Sequence, residues 1–200
     1  MRCVVTLRAG IDLLREAWNA NDRSVVSPGL HALVVHGANG WARRSRGPLR
    51  RPARIGARAA YFLVRNVYGI DLPATVTVGR NFRIAHAGGV VIHPDTVFGD
   101  NCIIRQNVTI GAAGTGDFHT NHPTFGDRVD IGAGAVVMGR IHVGDDVTIG
   151  PNTVVMTDVP ARTMVVNPPA RRMSLPGGTP PAQPVPSVDV RRDESADARR

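Results

Sequence analysis

Phe125-Gly126-Asp127-Arg128-Val129-Asp130-Ile131-Gly132-Ala133-Gly134-Ala135-Val136-Val137 brings back an apolar anchor every sixth position, at Phe125, Ile131 and Val137. The same register continues through Val143, Ile149 and Val155, and a second series runs Ile92, Phe98, Ile104, Ile110 upstream. Four residues after most anchors comes a small or branched side chain: Thr96, Cys102, Val108, Val129, Ala135, Ile141, Val147, Thr153, Val159. Neither a 3.6-residue nor a 2-residue period accounts for a strict six. One short strand and one tight turn per hexad do, if successive turns stack as a parallel β-helix with the anchors lining a continuous interior.

The rest of the chain bounds the reading. Its 200 residues supply one or two modest domains, and an apolar content of 42% suits a globular protein. No apolar run is long enough to span a membrane, and the start Met1-Arg2-Cys3-Val4-Val5 has too short an apolar core for a signal peptide, so the sequence predicts a cytoplasmic protein. Cys102 falls on an inward position and Cys3 near the terminus, so no disulfide is expected. The net charge is +8 and all 24 basic residues are arginine, seven of them between Arg43 and Arg58. That cluster reads first as a solvated loop and the polar face of a helix; the functional alternative is a patch for phosphates, anionic lipid or nucleic acid. No aromatics are interleaved to stack bases, which argues against single-stranded nucleic acid.

Three helices are predicted ahead of the repeats. Leu7, Ile11, Leu14 and Trp18 share a face over residues 7–20, Ser27-Pro28 starts a second helix reaching about Arg43, and a third runs from about Ala53 to Tyr68, burying Ile55, Ala59, Phe62, Leu63 and Val67 before Gly69 stops it. Residues 1–69 are thus a helical region capping the open end of the coil, 70–172 the β-helix with a short extended arm after Pro160, and 173–200 a Pro-rich, charged, disordered tail.

Two places break the repeat, and both carry histidines. Between Ile84 and Ile92 the register slips by two residues around His86-Ala87-Gly88-Gly89, and a polar, glycine-rich loop runs from Ala112 to Thr124 with His119 and His122. A solenoid that interrupts its own repeat usually binds something there. An imidazole can take a proton from a hydroxyl, and a carboxylate behind it fixes its tautomer. Asp71 precedes His86 by close to one coil, which allows neighbouring rungs; on spacing alone the two read equally as a corner residue and a turn former.

Gly79-Arg80-Asn81-Phe82-Arg83-Ile84-Ala85-His86-Ala87-Gly88-Gly89-Val90-Val91-Ile92 resembles the active-site coil of the serine O-acetyltransferases. So do Arg105-Gln106-Asn107-Val108-Thr109-Ile110-Gly111, the Gly-Thr-Gly loop with His122-Pro123, the coil Ile131 to Ala135, and Pro169-Ala170-Arg171, over roughly residues 25 to 172. The resemblance implies a left-handed parallel β-helix assembling as a homotrimer, with acetyl-CoA in the groove between subunits and no metal. It makes His86 the general base for direct attack of a hydroxyl on the thioester, Asp71 its orienting carboxylate, and His122 a second active-site histidine facing the acceptor from the adjacent subunit. It assigns CoA-lining roles to Gly111, Ala112, Gly114, Thr115 and Gly116, to Gly132, Ala133 and Ala135, and to Arg171 at the nucleotide phosphates.

Two substrate-facing positions depart from the family. Ala85 stands where an acidic residue grasps the substrate amine, and Asn121 where an arginine pairs with its carboxylate. Losing both removes the charged contacts that select an amino acid. The resemblance names L-serine as acceptor and cysteine biosynthesis as the setting; the departures favour a sugar hydroxyl, as in exopolysaccharide synthesis. A zinc-dependent γ-type carbonic anhydrase would use His86, His119 and His122, but the spacing of the last two and the surroundings of all three argue against it. A non-catalytic trimeric scaffold is disfavoured by the retention of Asp71, His86 and His122 together.

Overall fold

The structure, a computed structural model, describes residues 15–21, 23–44, 47–48, 50–114 and 117–168. The described part of the first helix, α1, covers 15–20; α2 spans Pro28–Arg44 and α3 spans Arg50–Tyr68. Residues 7–14 of the first expected helix, and the expected tail, lie outside the described residues. From Ile70 the chain winds through short parallel strands that fall on three faces. The first face holds β1 (Ile70–Asp71), β3 (Val90–Ile92), β6 (Thr109–Gly111), β9 (Val136–Met138) and β12 (Val154–Val155). The second holds β4 (Val97–Phe98), β7 (Thr124–Phe125) and β10 (His142–Val143). The third holds β2 (Arg83–Ile84), β5 (Ile103–Ile104), β8 (Asp130–Ile131), β11 (Thr148–Ile149) and β13 (Met164–Val165). This is a left-handed parallel β-helix.

The registers explain the sixfold spacing. Ile131 pairs with Ile149 and Val137 with Val155, eighteen positions apart, so three hexads make one triangular coil and each anchor sits on its counterpart. Phe98 pairs with Phe125 across the inserted loop, and their rings stack at 4.7 Å. Ile84 pairs with Ile104 twenty positions on, the two-residue excess being the bulge at Gly88 and Gly89, which take φ of 101° and 65°. The anchors and the small residues between them are almost all buried.

The corners require what the sequence supplies. Asn81, Asn101, Asn107, Asp146 and Asn152 all adopt positive φ one residue before an inward side chain, a conformation that asparagine and aspartate tolerate better than most. Along one corner the backbone N–H groups of Arg80, Asp100 and Asp127 donate to the carboxylates of Asp100, Asp127 and Asp145 in the next coil, at 2.7, 2.7 and 2.8 Å. Coils approach so closely there that a Cβ on Gly99 would stand 2.3 Å from Asp127 Oδ1 and 2.6 Å from the Gly126 carbonyl.

At the open end the side-chain amide of Asn21 stands in for a missing coil: its Oδ1 accepts from Ile84 N–H at 3.3 Å and its Nδ2 donates to Phe82 O at 3.4 Å. Two expectations need correction. Helix α3 buries Ala57 and Val64, while Ile55, Phe62, Leu63 and Val67 are 70, 65, 59 and 69% exposed and Ala59 is also exposed. The arm after Pro160 does not leave the coil at once, since β13 continues the ladder against β11.

Candidate functional site

Asp71 lies on β1 with its side chain outward, because Ile70 before it takes the interior position. Its carboxylate is gripped from α3: the Tyr61 hydroxyl donates to Oδ1, and Arg65 Nε reaches Oδ2 at 3.2 Å. Burial, then the neighbouring Asp71, pushes the Tyr61 phenol far above its usual pKa, so it remains a donor at every working pH. Neither residue was singled out in the sequence; the signal was their four-residue spacing on α3 ahead of Asp71.

His86 occupies the corner between β2 and β3, two residues before Gly88 of the Gly88–Gly89 bulge, and is exposed. Gly88 N–H donates to Tyr68 O and Val90 N–H to Gly69 O, which ties this corner to the start of β1. No hydrogen bond holds the imidazole among the described residues; the carboxylate of Asp71 is taken by Tyr61 and Arg65, with lone pairs to spare. Ala85 before it is half-buried and Ala85 N–H is committed to Ile104 O.

His122 belongs to a different cluster. Its ring stacks on His93 at 5.6 Å and 13°, and His93 lies 4.1 Å from Phe118, centroid to centroid. His93, only 5% exposed, accepts from Asp95 N–H at Nδ1 (3.2 Å), which fixes its tautomer, and Asp95 Oδ2 holds His119 Nδ1 at 2.8 Å. Burial lowers the pKa of His93, and the hydrogen bond to Asp95 raises that of His119. His93 Nε2 and His122 Nδ1 are both buried without a hydrogen-bond partner among the described residues. Two such nitrogens on stacked rings leave polar capacity for a hydroxyl-bearing molecule. His93 and Asp95 also escaped the sequence reading, because His93-Pro94 follows a regular anchor and looks like ordinary punctuation.

Asn121 Nδ2 donates to the Ala113 carbonyl, so its side chain braces the loop following Gly111. Gly111 closes β6, its carbonyl accepting from Gly139 N–H at 3.0 Å, and Ala112 to Gly114 continue as a loop of small residues. Thr115, Gly116 and Arg171 lie outside the described residues. In the next coil Gly132 and Ala135 are buried, Ala135 filling an interior position, while Ala133 is half-buried. The N–H groups of Gly132 and Ala135 are spent on Ile149 O and Gly132 O, so of these three Ala133 faces the outside. Among the described residues no group of three His, Cys, Asp or Glu is arranged to hold a metal ion. Nor is any described helix long and apolar enough to cross a membrane.

Against known proteins, residues 122–157 match the family model "Bacterial transferase hexapeptide (six repeats)". The chain is 40% identical over 148 residues to a serine acetyltransferase of Helicobacter pylori, covering 74% of this chain and 82% of that one. Among solved structures it is similar to soybean serine acetyltransferase complexed with serine (TM-score 0.61, 34% identity, 82% of this chain and 68% of that). It is also similar to the Brucella abortus serine acetyltransferase in complex with coenzyme A (TM-score 0.66, 27% identity, 80% and 65%). The chain therefore spans about four-fifths of the Helicobacter relative and about two-thirds of the two solved structures.

Proposed function

The chain belongs to the serine acetyltransferase family, and from that premise we propose that it is an acetyl-CoA-dependent O-acetyltransferase acting in the cytoplasm. The observation that carries this is the 40% identity over most of a relative's length, together with the presence of Asp71, His86 and His122 in this chain. His86 takes the proton from the acceptor hydroxyl as the oxygen attacks the thioester carbonyl. The tetrahedral adduct collapses, the C–S bond breaks, and the imidazolium returns its proton to the departing CoA thiolate. Asp71, clamped by Tyr61 and Arg65, keeps lone pairs with which to orient the imidazole.

A trimer with sites between subunits is part of the proposal. What supports it is that no hydrogen bond or ring contact among the described residues joins His86 to the His93–His122 stack within one protomer. The small residues Gly111, Ala112 and Gly114, with Ala133 one coil on, leave room along the outside for a pantetheine arm.

L-Serine is the acceptor the family implies. A neutral sugar hydroxyl is favoured by one observation: Ala85 has no charge, and the Asn121 amide is committed to the Ala113 carbonyl, so neither offers a grip on a zwitterion. Free-CoA release from acetyl-CoA with L-serine, set against nucleotide sugars and oligosaccharides, separates the two. Turnover with one acceptor that vanishes in His86→Ala is expected; turnover that survives it overturns the general-base assignment.

A further inference from the structure

From Arg23 to Ile70 the chain carries nine arginines and no aspartate or glutamate. Arginines with a carboxylate in reach are paired: Arg65 of this stretch with Asp71, and in the coil Arg80 with Asp100, Arg105 with Asp130 and Arg128 with Asp146. The contrast is a cavity of about 740 Å³ between α2, α3 and the corners after β1 and β3, into which Arg43, Arg54 and Arg58 converge. Among the described residues no carboxylate lines it. Arg43 and Arg58 have no side-chain partner among the described residues.

Arg54 is pre-set: its Nε donates to Ala42 O at 3.2 Å and its Nη2 to Arg43 O at 2.9 Å, which fixes the plane of the guanidinium between the helices. It also borders a second recess of about 490 Å³ lined by Arg50 and Arg51, the first residues of α3. No acidic residue stands in the first turn of α3, so two arginines sit at the positive end of a 19-residue helix, where the dipole disfavours them. Concentrated like charge with no internal counter-charge costs stability unless an anion neutralises it. The rest of the lining is different in kind: Pro73, Pro94 and the ring of Tyr61 offer apolar surface.

We propose that this cavity is a binding site for an organic diphosphate ester, the arginines taking the diphosphate and the proline–tyrosine wall the organic group. The charge calls for a polyanion, and planar guanidinium forks match phosphate oxygens. The volume, within the ~300–1,000 Å³ of small-molecule sites, exceeds what an inorganic ion needs. Tyr61 is shared, since it lines the cavity and donates to Asp71, so an occupant lies one residue from the carboxylate assigned to the reaction. The site stands whichever hydroxyl is acetylated. The diphosphate can come from a soluble nucleotide or from a lipid headgroup; the exposed Ile55, Phe62, Leu63 and Val67 of α3 give the second source an apolar contact.

The test is binding by the full chain, read by calorimetry and independent of turnover. UDP is titrated at constant ionic strength, and co-sedimentation is measured with phosphatidylcholine vesicles with and without a polyisoprenyl diphosphate. Arg43→Gln and Arg58→Gln are compared with Arg140→Gln, an exposed arginine outside the cavity. Binding of UDP that weakens on the order of tenfold in each cavity variant and not in Arg140→Gln is expected, as loss of one charge-assisted contact implies. The same pattern seen only with diphosphate vesicles assigns the lipid source. Binding that ignores the cavity variants, that added sulfate abolishes at constant ionic strength, or that occurs with neither probe overturns the site.

Discussion

Replacing Tyr61 with Phe removes one hydroxyl and tests whether the grip on Asp71 matters to the chemistry. The Asp71 carboxylate has two holders of unequal worth. Arg65 is 58% exposed at its side chain and contacts Oδ2 at 3.2 Å, and an ion pair that open contributes about 0–1 kcal/mol. The Tyr61 hydroxyl donates to Oδ1 from a partly buried position, and a hydrogen bond to a charged group contributes about 1.5–3 kcal/mol. If half of that positions the His86 ring in the transition state, kcat falls by about three- to tenfold, since each ~1.4 kcal/mol is a factor of ten. KM for acetyl-CoA should hold, because the residues proposed to line the pantetheine arm are untouched. Arg65→Gln should cost about threefold or less, in keeping with its exposure. Because the phenol pKa is pushed well above its usual value, the Tyr61→Phe deficit should be constant from pH 6 to 9. Initial rates of thiol release at saturating acetyl-CoA measure this. A kcat within twofold of wild type shows the clamp to be scaffolding only, and a deficit that grows with pH shows the phenol itself titrating; either refutes the positioning argument.

Acid should weaken the fold through two buried imidazoles. Burial holds His36 and His93 below their unfolded pKa, so the unfolded chain binds the extra protons and stability, complete above about pH 6.5, falls as pH drops through the depressed values. The melting temperature between pH 5 and 8 checks it; His93→Phe, which keeps the contacts with Phe118 and His122, should flatten the acid limb, and an unchanged limb contradicts the assignment. Ala85→Asp combined with Asn121→Arg should raise kcat/KM for L-serine by about tenfold or more by restoring both charged contacts, while an unchanged value means the selectivity resides elsewhere. Gly99→Ala drives a methyl into Asp127 and the Gly126 carbonyl and should cost about 2–4 kcal/mol in chemical denaturation; a loss under about 0.5 kcal/mol would mean that the coils can separate at that corner. Cys102, buried with its thiol pushed up to about 11, should react with thiol reagents only after unfolding.

The coil was legible because its physics is local and repeated. Each inward position of a hexad must be apolar or small whatever lies two coils away, so Ile131, Val137, Val143 and Ile149 state the fold by themselves. The candidate site was legible only where the repeat is interrupted: the excess residues at Gly88–Gly89 and the loop after Gly111 flagged His86 and His122. His93, Asp95, Tyr61 and Arg65 left no such mark. Each sits in regular structure at a position where polar residues are ordinary, and it matters only through a neighbour brought close by the coil or by α3.

Helix α3 shows the other limit of sequence reading. Its Ile55, Phe62, Leu63 and Val67 lie on one face, and periodicity predicts that such a face is buried. Periodicity fixes which residues share a face, however, and not which face turns inward. Here α3 is held by its opposite interests: Val64 joins the core, Tyr61 and Arg65 hold Asp71, and Arg54 bonds the carbonyls at the end of α2. Those polar contacts are directional, and they determine the rotation of the helix about its axis. The apolar stripe is consequently left outward, on a helix whose Arg58 has no side-chain partner among the described residues, an arrangement that costs free energy unless something covers the one and neutralises the other.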